Sequence, residues 1–244
     1  NIRGPRITLA VMVGAALGVS GAALQGLFRN PLADPGLIGV SAGAALGAVS
    51  AIVFLNVELL PFQLGKYLIP LAAILSSCAV ICLIFILTNG FKKSDITYVL
   101  LIGIALNALA TVGIGLLTFI STDSQLRGLT YWMMGSFGAA SWSLLVPAFF
   151  IVVLSILSLI FIARKLDIMQ LGEVEAYRLG VKVKKLKMMV ILISALMVGI
   201  SVSLSGIIGF VGLVVPHLVR LIAGTNHSYL FAGSALLGIT ITVG

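Results

Sequence analysis

Gly21-Ala22-Ala23-Leu24-Gln25-Gly26-Leu27-Phe28-Arg29-Asn30-Pro31-Leu32-Ala33-Asp34-Pro35-Gly36-Leu37-Ile38-Gly39-Val40-Ser41 joins two long apolar runs, residues 7–27 and 37–55. Pro31 and Pro35, four apart, break any helix between the runs, because proline lacks the amide donor and disfavours a helical residue before it. Asn30 and Asp34 accept hydrogen bonds from the amides so freed and favour turns. Asp34 or Ser41 then stands where a helix N-cap is needed. Each flanking run approaches the roughly 20 residues that cross a bilayer core of about 30 Å. The stretch therefore reads as a tight turn between two membrane-crossing helices.

The rest of the chain agrees. Of its 244 residues, 60% are hydrophobic and 9% charged, with a mean hydropathy of +1.23. Soluble domains are about 45–50% apolar and about 25% charged, and a sphere of this size has no room to hide the excess. A soluble domain, a disordered chain and a disulfide scaffold are excluded. Further apolar runs cover 67–88, 98–120, 143–163, 186–205, a shorter 207–223, and 229 to the last residue. Their continuity argues for helices, since barrel strands alternate. The expectation is an all-α polytopic membrane protein, one permease-like domain over 1–244, with seven full crossings and part of an eighth.

The net charge of +8 is not a nucleic-acid footprint in such a chain. With Arg3 and Arg6 placed outside, the inner loops hold Arg29, Lys92, Lys93, Arg164, Lys165, Arg178, Lys182, Lys184, Lys185, Lys187 and Arg220. The outer ones hold Arg3, Arg6, Lys66 and Arg127. Eleven of fifteen cations inside is a positive-inside signal. It places the first residue on the external side of the cell membrane and calls for an odd number of preceding helices. The chain starts at Asn1 and stops inside an apolar run at Gly244, so both ends read as cut.

Within the spans, Gly14 and Gly18, and Gly39, Gly43 and Gly47, recur every four residues. Small residues at that spacing let helix backbones approach closely in lipid. Cys78 and Cys82 share a helix face and, without histidine or acidic neighbours, are expected to be buried structural thiols rather than a metal site. The external segment 121–142 carries an apolar patch, 129–134, too short to span; it reads as an interfacial or re-entrant helix with Tyr131 and Trp132 at the interface.

Intramembrane charge is nearly absent: besides Lys187 at the edge of its run, only Arg220 and His217 fall within the runs. Ion-coupled transporters keep ionisable relays at membrane depth, and no catalytic set can be assembled from these spans. There is no Gly-x-x-x-x-Gly-Lys-Ser/Thr phosphate loop either. Energy for transport has to come from another subunit. The segment 164–185 is long, inner, and rich in both charge signs. In it Gly172 and Gly180 bracket about two helical turns, Ala176 offers a small contact position, and Glu173, Glu175 and Arg178 give a polar surface.

Two further stretches are distinctive: Leu126-Arg127-Gly128-Leu129-Thr130-Tyr131-Trp132-Met133-Met134-Gly135-Ser136 and Gly209-Phe210-Val211-Gly212-Leu213-Val214-Val215-Pro216-His217-Leu218-Val219-Arg220. With the double-proline turn, they resemble the FecCD family, the permease subunits of type II ABC importers of iron-siderophores, haem and cobalamin. The resemblance runs along the whole chain. It implies a ten-helix permease fold, here lacking the first helix, most of the ninth and all of the tenth. It implies a partnership of two permease subunits, as a homodimer, with the pathway between them. Two ABC ATPase subunits would carry ATP-Mg, and an external binding protein would deliver cargo; no cofactor or metal is expected on the permease and no catalysis by it. Residues 29–36 look most like haem permeases, then siderophore permeases, with cobalamin members somewhat less similar. The alternatives are a cobalamin importer or an ATPase-independent secondary transporter.

Residue by residue, the resemblance implies a cytoplasmic gate at Asn30 and Leu32, with a second gate at Ser94, Asp95 and Thr97. It makes the 172–180 segment, with Gly172, Glu173, Ala176, Arg178 and Gly180, the coupling helix that docks on the ATPase. Arg3 and Arg6 are read as the pair that meets acidic groups of the binding protein. His217 is read as structural in preference to a haem ligand. Met133 and Met134 either line an outer vestibule or pack at the interface, and Asn107 either faces the pathway or bonds a neighbouring helix. Charge reversal of Arg3 and Arg6 to Glu together is expected to weaken docking of the binding protein on proteoliposomes at low salt, and less so at high salt. Unchanged low-salt docking would remove the assignment.

Overall fold

The computed structural model describes residues 3–55, 62–88, 96–138 and 140–244, with backbone alone for 62–66 and 96. Its order is α1 (Arg3–Phe28), a 3₁₀ helix (Pro35–Ile38), α2 (Val40–Phe54), α3 (Phe62–Leu87), α4 (Ile96–Phe119), α5 (Asp123–Met133), α6 (Trp142–Met169), α7 (Glu173–Arg178), α8 (Val183–Ser205), α9 (Val211–Ala223) and α10 (His227–Val243). Five of these are long and apolar enough to cross a membrane: α1, α3, α4, α6 and α8. The apolar helices α2, α9 and α10 are shorter, at 15, 13 and 17 residues.

α1 is the axis of the bundle. From Leu9 to Phe28 nearly every residue is buried, among α6, α8, α9 and α10. α3, α4 and α6 instead present mostly exposed apolar side chains, as helices at a lipid boundary do. The contacts around α1 are backbone to backbone. A Cβ on Gly14 would strike the carbonyl of Gly238, one on Gly238 would strike that of Gly14, one on Gly18 would strike that of Ser234, and one on Gly21 would strike that of Gly212. Gly43 and Gly47 bring α2 equally close to Val80, Ser76 and Ala72 of α3. The four-residue spacing thus does what it does in lipid. Gly39 serves the backbone differently, closing the 3₁₀ helix and opening α2 at a φ of +88.

Four sequence expectations are corrected. The run 207–223 is not one helix. Gly206 (φ +71) and Phe210 (φ +66) lie in the left-handed region, and α9 starts only at Val211. Thirteen residues rise about 20 Å, short of a bilayer core. The intervening backbone is held at its start, where Ser136 N donates to Ser205 O at 2.7 Å. The segment 164–185 is mostly helical rather than loop: α6 continues to Met169, and α7 and the first turn of α8 take up most of the remainder. Cys78 and Cys82 do share a face, but it is the exposed one. The helical patch near Tyr131 begins earlier than its apolar residues suggest. Thr122 and Gln125 form a reciprocal capping box that starts α5 at Asp123, and Gln125 Nε2 donates to Val53 O at 3.0 Å, tying α5 to the end of α2.

If α1 depends on this close approach, Gly238→Val is expected to destabilise the fold by about 1–3 kcal/mol through overpacking. Gly115→Ala, which meets open space, should stay within about 0.5 kcal/mol of wild type or gain stability. Thermal unfolding in detergent compares the two.

Candidate functional site

α1 ends in a Schellman closure. Asn30 N donates to Gln25 O (3.1 Å) and Arg29 N to Gly26 O (3.3 Å). The left-handed position that glycine usually fills is taken by Arg29, at φ +50, at a conformational cost of roughly 1–2 kcal/mol. Two side-chain turns follow. Asn30 Oδ1 accepts from Leu32 N at 2.9 Å, and Asp34 Oδ1 accepts from Gly36 N at 2.6 Å. Asp34 is thereby the N-cap of the 3₁₀ helix, with Pro35 at its start; Ser41 caps nothing, since α2 opens at Gly39 without a side-chain cap.

The base of this turn is clamped from several sides. Asn107 Nδ2 of α4 donates to Gly36 O at 3.0 Å, and Gly103, one turn earlier, brings α4 against the Leu37 carbonyl. Of the two readings of Asn107, the structure therefore gives a hydrogen bond to a neighbouring segment. The start of α9 packs on the Pro35 ring at Gly212, while the buried Gln25 donates through Nε2 to Leu213 O at 3.0 Å. The tip, 29–32, is exposed, with Leu32 69% accessible. Thr97 lies in the first turn of α4; Ser94 and Asp95 lie outside the described residues.

The same end of the bundle carries α7. Gly172 (φ +111) precedes it and Gly180 (φ +83) follows it. Val181 N donates to Ala176 O (2.9 Å) and Gly180 N to Tyr177 O (3.0 Å), a second Schellman closure. The bracketing glycines are thus backbone devices. Ala176 is corrected in orientation: its accessibility is 0%, so it seats the helix on its own chain instead of meeting a partner. What α7 turns outward is Val174 (66%) and Tyr177 (74%), with Arg178 held to Glu175 by an exposed ion pair at 2.9 Å. Such a pair adds little stability. Val174 and Tyr177 also line an open groove of about 790 Å³ with Lys182, Lys184, Lys185 and Met188.

Sequence reasoning missed four residues here. Lys187, counted only as an inner cation, is 3% exposed at its side chain and pairs with Glu173 Oε1 at 2.7 Å. Asp167 accepts from His227 N (2.9 Å) through the oxygen that also meets His227 Nδ1 (2.6 Å). Gln170 Nε2 donates to Gly26 O at 2.9 Å. The only signal for Lys187 was a lysine placed one residue inside an apolar run; the other three bonds span too many residues to be read along the chain.

At the opposite end, Arg3 and Arg6 are exposed on the first turn of α1. Arg6 lines a cavity of about 680 Å³ with Tyr131, Trp132, Ser141 and Ser205. Met133 and Met134 are exposed at the end of α5, outside that lining. His217 is half-buried in α9 with an unpartnered Nδ1. Among the described residues no group of three or more His, Cys, Asp or Glu is placed to hold a metal.

A bundle of short and long helices around a glycine-lined axis, with a double-proline turn beside a short outward helix, has known relatives. The sequence pattern of the FecCD transport family matches residues 1–244. The chain belongs to the FecCD transport family. It is 47% identical over 238 residues to the hemin transport system permease protein HmuU of Yersinia pestis, covering 98% of this chain and 70% of the relative. It is 39% identical over 240 residues to the vitamin B12 import system permease protein BtuC of Escherichia coli, covering 98% and 71%. A solved structure described as an inward-facing conformation of a metal-chelate type ABC transporter superposes with a TM-score of 0.89 at 37% identity, covering 99% of this chain and 75% of that one. This FecCD chain is a multi-pass ABC transporter permease, and the secondary-transporter alternative falls with that kinship.

Two substitutions probe the site's construction. Ala176→Glu forces a charge into a position with no accessible surface, and is expected to lift α7 and speed tryptic cleavage after Arg178 and Lys182 on the order of ten-fold. Asp34→Ala removes the cap of the 3₁₀ helix and should cost about 0.5–2 kcal/mol, read as a lowered Tm.

Proposed function

We propose that this FecCD chain is the membrane subunit of an ATP-driven importer that moves haem or a ferric siderophore inward. Two copies pair with the pathway at their interface, in seven full crossings and part of an eighth, with Asn1 external and the 164–185 end in the cytoplasm of the cell that bears this inner membrane. ATP is hydrolysed by two separate ATPase subunits, and a binding protein docks outside at Arg3 and Arg6. On the inner side, α7 meets the ATPase through Val174, Tyr177 and Arg178, while Gly172, Gly180, Glu173 and the inward Ala176 hold it in place. The turn 29–32, with Asn30 and Leu32, narrows the cytoplasmic end of the pathway, with the segment containing Ser94, Asp95 and Thr97 as its counterpart. Met133 and Met134 face the outer vestibule; Asn107 serves the pathway indirectly, by fixing the turn.

One observation carries the reading: a six-residue helix, too short to stand alone, is bonded to its own bundle on one side and turns apolar side chains outward on the other. That is the form of a rigid docking element for a partner. Haem is preferred as cargo because of the kinship with a hemin permease; cobalamin is the second reading, from the kinship with a vitamin B12 permease. Reconstitution of the permease with its ATPase and binding protein in proteoliposomes is expected to give ATP-dependent uptake of haem. ATP-dependent uptake of cobalamin alone would select the second reading, and ATP-dependent uptake of neither haem, ferric siderophore nor cobalamin would overturn both.

A further inference from the structure

The last turn of α6 and the corner after it form a hub. Within seven residues, Asp167 holds the first residue of α10, Gln170 holds the last turn of α1, and Glu173 holds Lys187 of α8. Gly26 O already accepts from Arg29 N, so the Gln170 amide shares an acceptor with the bond that forces Arg29 into its left-handed conformation. Gly172 Cα stands beside the Arg29 guanidinium as well: a Cβ there would lie 3.8 Å from an Arg29 side-chain nitrogen. Gly26 itself has no room for a side chain, because a Cβ there would strike the His227 ring. The ring is buried and bonded to Asp167. The end of α1 is therefore trapped between α10 and the α6–α7 corner.

On this footing, α7 has few ways to move. Glu173 is the first residue of α7 and Gln170 lies three residues before it. The buried Lys187 ties α7 to α8, since withdrawing Glu173 would take an ionic partner from a cation with almost no access to solvent. Any displacement of this unit pulls on Gln170 and so on the carbonyl at the root of the turn 29–32. We infer that Gln170 and Lys187 are positioning residues of transport: Lys187 locks the ATPase-facing helix to α8, and Gln170 hands its motion to the turn at Asn30 and Leu32. The inference rests on the functional reading above and names the bonds through which it would work.

The test uses the permease in complex with its ATPase subunits, with Cys78 and Cys82 replaced by Ser and a spin label on Leu32→Cys in each permease copy. The distance between the two labels is measured by pulsed electron resonance, without nucleotide and after trapping with ATP and vanadate. This needs no cargo, and vanadate trapping itself reports that the ATPase has docked. The wild-type background is expected to show a shift of the distance distribution on trapping. Gln170→Leu is expected to trap nucleotide yet lose the shift, a result that loss of folding does not mimic. Lys187→Met is expected to lose it too, and the exchanged pair Glu173→Lys with Lys187→Glu to regain it. A full shift in Gln170→Leu overturns the inference. An exchanged pair that assembles without regaining the shift overturns the part played by Lys187; should Lys187→Met fail to assemble, the exchanged pair decides that part alone. A wild-type background that traps nucleotide without any shift overturns the functional reading itself, and the inference with it.

Discussion

Everything in this molecule is arranged around one constraint: the backbone of α1 must lie in contact with the backbones of α10 and α9. Lipid supplies no hydrophobic force to press helices together, so association relies on close packing. Gly14 against Gly238 and Gly21 against Gly212 meet that condition by having no side chain at the contact. Small residues line these contacts, bulky side chains such as Leu9, Leu24, Leu27 and Phe231 fill the buried space around them, and much of the apolar surface of α3, α4 and α6 stays at the periphery. A helix so enclosed has freedom at its ends alone, and the candidate functional residues are found there: Arg3 and Arg6 at one end, 29–32 at the other.

The double-proline turn owes its shape to local chemistry and its stiffness to tertiary bonds. Asn30 and Asp34 satisfy the amides that the prolines leave free, which would hold in a peptide. Asn107, Gln170 and the Gly212–Pro35 contact come from α4, α6 and α9, and none exists until the bundle closes. α7 is built likewise. Two positive-φ glycines bound it, and a buried alanine and an ion pair with the buried Lys187 then fix its inner face. In both places a short exposed element stands on a rigid base, the form expected of parts that pass on motion without deforming.

The sequence was most legible where one residue type has one physical use. The proline breaks, the glycines at four-residue spacing, the helical character of the long apolar runs and the two glycines around α7 were legible from spacing, whereas seven full crossings were expected and five helices are long enough to cross. Reading failed where a pattern has two uses. Cys78 and Cys82 are apolar enough for a core or for a lipid-facing surface, and the surface holds them. Ala176 is small enough to touch a partner or to be covered, and it is covered. The run 207–223 is apolar throughout, but hydropathy does not record that Gly206 and Phe210 adopt left-handed backbone and delay α9 to Val211.

What the amino-acid sequence determined alone is the medium, the class of element and the family. The first two follow from composition, run length and local turn chemistry, which act over a few residues; the family follows from the resemblance of three motifs. What only the tertiary structure decided is which polar side chains in an apolar chain find one another. Lys187 with Glu173, Gln170 with Gly26 and Asp167 with His227 join residues from 14 to 144 positions apart. The physical reason is that a buried polar group must be partnered wherever the fold delivers a partner, and the choice belongs to the packing of α1 rather than to any stretch of sequence.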